Sequence, residues 1–139
     1  MSDIAFVDTN ILIYAHDRDA GERWTRASGL LAQLWESRCG RLSVQVLQEF
    51  YVVAAGKLKS AIGGAAAREV VSTYAPWVTS DADVATVLRG AELGELAQLS
   101  FWDGMIVAAA ERCGATILYT EDLTDGQVIA GVRIVNPLK

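Results

Sequence analysis

The sequence has few of the residues on which several common kinds of site depend. It contains two cysteines and one histidine, and no Cys-x-x-Cys pair or other Cys/His spacing indicates zinc. Two cysteines cannot form a disulfide framework, so we expect Cys39 and Cys113 to be reduced thiols in a cytoplasmic protein. A mechanism that needs two imidazoles is excluded within one chain. A Ser-His-Asp triad would have to use His16, which lies in a polar segment typical of a turn.

Several sequence motifs and targeting segments are also missing. No glycine-rich dinucleotide-binding motif, P-loop or Gly-x-Ser-x-Gly elbow is present. No apolar run approaches the roughly 20 residues that a membrane span requires, so no membrane association is expected. The first residues carry no basic stretch before their apolar run, and they therefore do not resemble a secretory signal.

The charge balance of the chain is acidic. Seventeen acidic residues against 12 basic ones give a formal charge of −5. This charge argues against a generic nucleic-acid coat, because such proteins neutralise phosphates with basic side chains. An acidic chain can still act on a polyanion if its own carboxylates hold a metal ion.

The length and the pattern of apolar residues predict one α/β domain over residues 1–139. Short apolar runs alternate with amphipathic segments, which indicates a central, mainly parallel sheet flanked by helices on both faces. The predicted strands are 4–7, 115–119 and 132–135, with shorter ones at 41–43 and 76–79. The predicted helices are 11–14, 22–37 (ended by Gly40), 44–54 (capped by Ser43), 65–74, a helix from Asp81 or Asp83 to about 96, and 100–113 (capped by Ser100), with a looser connection at 57–64.

Two of the predicted strands end in acidic residues. Asp8 follows strand 4–7, and Asp122 follows the strand that ends at Tyr119. Because the carboxyl ends of parallel strands lie at one edge of a sheet, where ligands bind, these carboxylates are candidate site residues. Each could instead form a turn or cap a helix. Alternation along the extended chain places Asp122, rather than Glu121, on the same side as Thr120.

Two further acids lie on predicted helices and have simple structural explanations. Asp103 comes three residues after Ser100, which matches a capping box, although it lies among apolar residues where a bare carboxylate is costly. Glu49 has Gln45 and Gln48 as helical neighbours, so it could belong to a solvated face. Spacing alone favours the structural explanation for both residues.

Taken together, the segments around these acids resemble the PIN-domain ribonucleases. The likeness is greatest to the VapC-type toxins of bacterial toxin–antitoxin pairs. The segments that carry it are 6–10, 43–50, 101–103 and 118–122, and it extends nearly end to end, including 131–137. The resemblance implies a PIN domain with a parallel sheet, and cleavage of RNA that depends on Mg²⁺, with Mn²⁺ as a possible substitute.

The resemblance also assigns roles to individual residues. The four acids of the family pattern correspond to Asp8, Glu49, Asp103 and Asp122, with Asp8 and Asp103 expected as direct metal ligands. Asn10, Ser43 and Thr120 would support the site by orienting water, carboxylates or phosphate through hydrogen bonds. Gly104 departs from the family pattern beside Asp103, and we expect it to affect helix stability more than chemistry.

The family further implies partners for the protein. VapC-like toxins are neutralised by a small cognate antitoxin, and the protein is expected to form a homodimer. Apolar residues on helices 22–37 and 65–74 could make such contacts or could be ordinary core. The basic residues that could contact RNA phosphates could equally be ordinary surface residues: Arg18, Arg23, Arg26, Lys57 and Lys59.

Two other functions are compatible with the same residues. The first is a PIN-like binding module that holds RNA or a partner without cutting it, although the complete acid set argues against this. The second is a phosphatase or receiver-like Mg²⁺ pocket. It is weakened because segment 8–10 lacks the second aspartate of an aspartyl-phosphate phosphatase.

Overall fold

A computed structural model of the protein describes residues 3–57 and 61–139. Within these ranges, strands and helices alternate along most of the chain. The strands are β1 (Ala5–Val7), β2 (Gly40–Arg41), β3 (Ile117–Tyr119), β4 (Val128–Ile129) and β5 (Val132–Val135). The helices are α1 (Thr9–Ala15), α2 (Glu22–Ser37), α3 (Val44–Val52), α4 (Gly64–Tyr74), α5 (Val84–Ala97) and α6 (Phe101–Arg112).

The strands form one sheet in the order β2-β1-β3-β5-β4. β1 pairs in parallel with β2 and β3, and β3 pairs in parallel with β5, while the short β4 is antiparallel to β5. All three residues of β1 are buried. Because successive side chains of a strand point to opposite faces, both faces of the sheet are covered at β1. The predicted α/β class and mainly parallel sheet are confirmed.

Segment 76–79 was predicted as a strand, and this prediction is wrong. Ala75–Trp77 is a short 3-10 helix with a proline in its first turn. The backbone of Leu42 donates a hydrogen bond to the carbonyl of Trp77 at 3.1 Å, which places this helix beside the edge strand β2. The Trp77 ring then lies over Gly40, where an added Cβ would come within 2.5 Å of it. A buried tryptophan therefore covers the edge of the sheet without extending it.

Several predicted helix ends are confirmed, and the cap at the end of α2 is corrected. α2 has the predicted bounds, but it ends at Arg38 in a left-handed conformation (φ 62°) rather than at Gly40. Ser43 and Ser100 cap α3 and α6 as predicted. The cap of α5 is Asp83 and not Asp81, because Asp83 and Thr86 form a reciprocal capping box.

α3 ends earlier than predicted, and the chain continues as a π-helical turn over Val53–Lys57. The predicted loose connection at 57–64 falls partly on residues 58–60, which lie outside the described residues, as does Lys59. α4 begins at Gly64, one residue before the predicted start. β4 was not predicted, because a two-residue strand has no measurable periodicity.

α5 and α6 pack unusually close together, and this contact holds the start of α6 in place. A Cβ added at Gly104 would lie 2.3 Å from the carbonyl oxygen of Gly90. Across the same pair of helices, Arg89 binds Glu111 at 2.8 Å. Gly104 therefore affects the packing between two helices, and not only the stability of one helix as expected. No helix among the described residues is long and apolar enough to cross a membrane.

Candidate active site

The candidate site forms where β1 and β3 end. Their parallel register pairs Val7 with Tyr119, so the next residues, Asp8 and Thr120, come together at the same edge of the sheet. The backbone N–H of Asp8 donates to the carbonyl of Tyr119 at 3.0 Å and fixes this alignment. The predicted juxtaposition of the two strand ends is therefore present.

Asp8 is a buried carboxylate, with 5% of its surface exposed. Its Oδ1 accepts a 2.7 Å hydrogen bond from the backbone N–H of Thr9, and its Oδ2 accepts a 2.8 Å hydrogen bond from the hydroxyl of Thr120. Asp8 also occupies the N-cap position of α1, which was the structural alternative for this residue. Capping uses Oδ1, and Oδ2 faces the end of the neighbouring strand.

The surroundings of Asp8 disfavour its negative charge. Burial raises the pKa of Asp8 to about 6 from a usual value of 3.8, and the hydrogen bonds from Thr120 and Thr9 offset part of this increase. The charges of Asp122 and Glu49 make a smaller contribution to this increase in the pKa. No ion pair reaches Asp8 within residues 3–57 and 61–139. A cation bound at this position would therefore favour the ionised form of Asp8 and reduce its repulsion by the neighbouring carboxylates.

Thr120 connects three predicted site residues. It is fully buried, and its hydroxyl donates to Asp8 while accepting from Asn10 Nδ2 at 3.3 Å and from the backbone N–H of Asp122 at 3.1 Å. One donated and two accepted hydrogen bonds use the full capacity of a hydroxyl. Thr120 thus fixes the orientation of Asp8 and the path of the chain towards Asp122.

Asn10 and Asp122 face each other at the exposed rim of the site. Asn10 Nδ2 donates to Asp122 Oδ2 at 2.8 Å. The amide oxygen Oδ1 of Asn10 is buried and has no hydrogen-bond partner in the described part of the chain. A buried acceptor without a donor is costly, so this oxygen is suited to a water molecule or a bound cation.

Glu49 approaches the same site from α3. Its side chain is exposed, as the solvated-face alternative predicts, yet its Oε1 accepts a 2.9 Å hydrogen bond from the hydroxyl of Thr9. The amide of Gln45 makes longer contacts of 3.5 Å both to Glu49 and to the carbonyl of Trp102. Glu49 is therefore held next to Asp8, and α3 is joined to the start of α6.

Asp103 lies in the first turn of α6. Its backbone N–H donates to the Ser100 hydroxyl at 3.0 Å, which is one half of the predicted capping box. The other half is missing, because the Asp103 carboxylate makes no hydrogen bond or ion pair with any described residue. Capping therefore leaves this carboxylate available, and the structural alternative explains only the backbone of Asp103.

Ser43 is not joined to the acids. Its hydroxyl accepts a 3.4 Å hydrogen bond from the backbone N–H of Val46, so it serves as the N-cap of α3. Within the described ranges it makes no hydrogen bond with Asp8, Glu49, Asp103 or Asp122. A supporting role for Ser43 in the site stays a prediction.

The sequence matches the family model for the PIN domain over residues 5–124. The chain belongs to the PIN-domain family. This match covers the β1, α3, α6 and β3 segments that carry the candidate site, and it ends shortly after Asp122. The extension of the domain over the complete range 1–139 stays a prediction.

Several solved structures have the same fold as this PIN domain. A FitAB structure bound to an IR36 DNA fragment aligns with a TM-score of 0.72 at 19% identity, over 97% of this chain and 96% of that chain. A toxin–antitoxin complex from Klebsiella pneumoniae aligns with a TM-score of 0.66 at 24% identity, over 96% and 97% of the two chains. DNA-bound VapBC from Salmonella typhimurium aligns at 0.63 and 19% identity, over 96% and 97%. No curated protein sequence matches the chain.

The donor atoms of this PIN site fit a hard divalent cation. Carboxylate, amide and hydroxyl oxygens surround the strand ends, and no cysteine or histidine is hydrogen-bonded to them among the described residues. Within those residues, however, no group of three or more His, Cys, Asp or Glu side chains is arranged to hold a metal ion. Mg²⁺ commonly uses only one or two protein carboxylates and completes its shell with water and substrate oxygens. The four-carboxylate metal site stays a prediction.

Two contacts of the site involve residues to which the sequence analysis assigned no role. Thr9 links Glu49 to the strand end, although it was noted only as part of segment 8–10. The hydroxyl of Tyr14 donates to Glu121 Oε1 at 2.7 Å, so the acid that alternation placed on the far side of Thr120 is also held at this edge. The i, i+4 spacing of Asn10 and Tyr14 on α1 is the signal that could have indicated this second contact.

Proposed function

We propose that the protein is a Mg²⁺-dependent endoribonuclease and acts as the toxin of a toxin–antitoxin pair. PIN domains are in general nucleases, and membership of the family supports nuclease activity for this chain. The observation that carries the more specific proposal is the environment of Asp8. A buried carboxylate with a raised pKa, adjacent acids and no cationic partner among the described residues is arranged to bind a cation.

Asp8 and Asp103 would be the direct ligands of the ion, and Glu49 and Asp122 would complete the pocket. A divalent ion there would supply positive charge that activates water and stabilises the phosphate during hydrolysis. Mg²⁺ is the proposed ion because all the donors are oxygens, with Mn²⁺ as a possible substitute. All four carboxylates are proposed as catalytic residues on this basis.

The other residues of the site would orient these carboxylates. The Thr120 hydroxyl holds Oδ2 of Asp8, and Asn10 holds Asp122 through its amide nitrogen. Oδ1 of Asn10, which has no partner among the described residues, would accept a hydrogen bond from the water shell of the site. With a pKa of about 6, Asp8 is mostly ionised at pH 7.5, so it could bind a cation without first losing a proton.

A cognate antitoxin is the proposed protein partner. The solved structures that share this fold include toxin–antitoxin complexes, which supports the proposal. The chain also has an apolar groove of about 660 Å³ between α3 and α4, lined by residues that include Leu47, Tyr51 and Val71. A short open reading frame next to this gene should encode a protein that co-purifies with the chain and inhibits its activity.

A homodimer is proposed on the basis of exposed apolar residues. Leu88 and Leu96 on α5 and Trp102 on α6 are 67%, 74% and 63% exposed, whereas Leu31 and Leu34 on α2 belong to the core. Large apolar side chains that are this exposed are candidates for an interaction surface. Light scattering should report a dimer for the wild type and a monomer for Leu88→Glu. A wild-type monomer would refute this part of the proposal. The proposed location is the cytoplasm, where RNA is accessible.

The nuclease proposal is tested with purified protein and end-labelled single-stranded RNAs. Internal cleavage should occur with Mg²⁺ or Mn²⁺, stop with a chelator, and be lost in Asp8→Asn. RNA binding without cleavage under any divalent ion would favour the binding module instead. Release of phosphate from small phosphomonoesters, with no effect on RNA, would favour the phosphatase.

A further inference from the structure

A contact between Tyr14 and Glu121 lies beside the candidate site and has no role in the proposed chemistry. Asn10 and Tyr14 are one helical turn apart on α1, and each binds the segment that follows β3. Asn10 binds Asp122 at 2.8 Å, and Tyr14 binds Glu121 at 2.7 Å. The Tyr14 side chain therefore lies at the acidic edge of the sheet, about one helical turn from Asn10.

Arg23 is seated on this tyrosine. The central carbon of its guanidinium lies 5.7 Å from the centroid of the Tyr14 ring, which is within the range of a cation–π contact. Arg23 is exposed, and no carboxylate within the described residues forms an ion pair with it. Arg26, three residues further along α2, differs because it binds Glu22 at 3.0 Å. Among the described residues, the charge of Arg26 is therefore paired with a carboxylate, and the charge of Arg23 is not.

The electrostatics of this edge create a need for such a cation. Asp8, Glu49 and Asp122 are linked by hydrogen bonds through two threonines, and Glu121 directly precedes Asp122 in the chain. A polyanionic strand that approaches these acids is therefore repelled. A metal ion can neutralise the phosphate that reacts, but the neighbouring phosphates of the strand still lie over an acidic surface. Affinity for a nucleic acid comes mainly from basic side chains that contact such phosphates.

The geometry of an arginine on an aromatic ring suits this task. A cation–π contact leaves the guanidinium N–H groups without a carboxylate partner among the described residues, so they can bind a phosphate with two parallel hydrogen bonds. The ring also holds the side chain in one place, which reduces the conformational entropy lost on binding. Tyr14 is itself held by Glu121, so the position of Arg23 is tied to the same segment that carries Asp122.

We propose that Arg23, seated on Tyr14, binds a backbone phosphate of the single-stranded RNA substrate beside the cleaved bond. Tyr14 is then a positioning residue, which orients Arg23 through its ring. This inference rests on the proposed ribonuclease function, because it assigns a substrate contact next to the same acids. RNA binding can be measured in the absence of cleavage, so this inference and the ribonuclease proposal can be tested separately.

The test uses Asp8→Asn as a cleavage-deficient background and a fluorescent single-stranded RNA. Binding is measured by anisotropy over a series of salt concentrations. The logarithm of affinity falls with the logarithm of salt by about 0.7 for each phosphate contact on a single strand. Arg23→Gln should therefore reduce the magnitude of this slope by about 0.7 and weaken binding by about five- to tenfold at low salt. Arg26→Gln is the matched control and should leave the slope unchanged.

Additional variants distinguish a phosphate contact from a structural role. Arg23→Lys should keep the slope, because it keeps the charge. Tyr14→Phe should also keep it, because the ring remains, whereas Tyr14→Leu should weaken binding. An unchanged slope in Arg23→Gln, or no measurable RNA binding in the Asp8→Asn background, overturns the inference. If the wild type cuts no RNA but Arg23→Gln still reduces the slope, the proposed ribonuclease fails and the phosphate contact stands.

Discussion

The hydroxyl of Thr120 donates a 2.8 Å hydrogen bond to Oδ2 of Asp8, although 112 positions separate these residues in the sequence. The parallel register of β1 and β3 makes this contact possible, because it aligns the carboxyl ends of the two strands. Thr120 uses the same hydroxyl to accept hydrogen bonds from Asn10 and Asp122. The contact therefore connects the fold of the sheet to the ionisation of the buried acid.

Replacement of Thr120 by valine keeps the volume of the side chain and removes its hydroxyl. The hydrogen bond from Thr120 lowers the pKa of Asp8, so the pKa of Asp8 should rise above about 6 in Thr120→Val. The acidic limb of the pH–rate profile for RNA cleavage should then move to higher pH. Urea unfolding should show a loss of about 1–3 kcal/mol, because buried polar groups lose their partner. Thr120→Ser should restore both properties, and an unshifted acidic limb in Thr120→Val would contradict the role of this hydroxyl.

The raised pKa of Asp8 also predicts how the stability of the metal-free protein depends on pH. The folded state favours the protonated carboxyl of Asp8. The stabilisation of the folded state by this protonated carboxyl is therefore complete below about pH 4 and is lost as the pH rises through about 6. Between pH 5 and pH 8, the wild type should lose about 1 kcal/mol relative to Asp8→Asn, which cannot ionise. Chemical unfolding in a chelator at several pH values measures this difference.

The control for this experiment is Glu36→Gln, which removes an exposed acid on α2. Its stability should follow that of the wild type across the same pH range. Parallel curves for the wild type and Asp8→Asn would contradict a raised pKa for Asp8.

Divalent cations should stabilise the folded protein through the same carboxylate. A cation favours the ionised form of Asp8, whereas a proton competes with the cation below pH 6. Thermal unfolding should show an increase in Tm with Mg²⁺ that is larger at pH 8 than at pH 5. At a hundred times the Kd, the stabilisation should reach about 2.7 kcal/mol. Chelation should reverse the increase, and Asp8→Asn and Asp103→Asn should reduce it. An equal increase in the wild type and Asp8→Asn would show that the ion binds elsewhere.

Gly104 should tolerate no side chain, although it lies in a helix where alanine is intrinsically preferred. An added Cβ would meet the carbonyl oxygen of Gly90 at 2.3 Å, so Gly104→Ala should force α5 and α6 apart. We expect a loss of about 1–3 kcal/mol of stability from this overpacking. Gly29 lies in α2 with nothing within 4 Å of an added Cβ, and Gly29→Ala should stabilise the protein by up to about 1 kcal/mol. Equal effects of the two substitutions would show that helix propensity, and not packing, determines the result.

The elements with strong periodic patterns could be predicted from the sequence. α2 has the predicted bounds because its apolar residues repeat at helical spacing over 16 residues. The juxtaposition of Asp8 and Asp122 followed from two apolar strands that both end in acids, since parallel strands present their carboxyl ends at one edge. The prediction of a strand at 76–79 was wrong because Val78 and Thr79 are residue types common in strands. The structure of this segment instead follows the packing of Trp77 on Gly40.

The contacts within the site could not be predicted, because they depend on which atoms of distant segments meet. No spacing indicates that Thr9 binds Glu49, or that the Asp103 carboxylate has no partner among the described residues while its backbone N–H bonds to Ser100. The alternatives for Asp8 and Asp103 also proved not to exclude a site. Asp8 caps α1 through Oδ1 only, and Asp103 takes part in the cap of α6 through its backbone N–H, so neither cap uses the whole carboxylate.

The central claim is that the acids at the ends of β1 and β3 cut RNA with a divalent ion. Its most direct test compares initial rates of cleavage of one labelled RNA by the wild type, Asp8→Asn and Glu36→Gln at saturating Mg²⁺. The account predicts equal rates for the wild type and Glu36→Gln, a loss of at least about 100-fold in Asp8→Asn, and no cleavage by any protein with a chelator. Cleavage by Asp8→Asn at the wild-type rate, or wild-type cleavage that persists in the chelator, would contradict it.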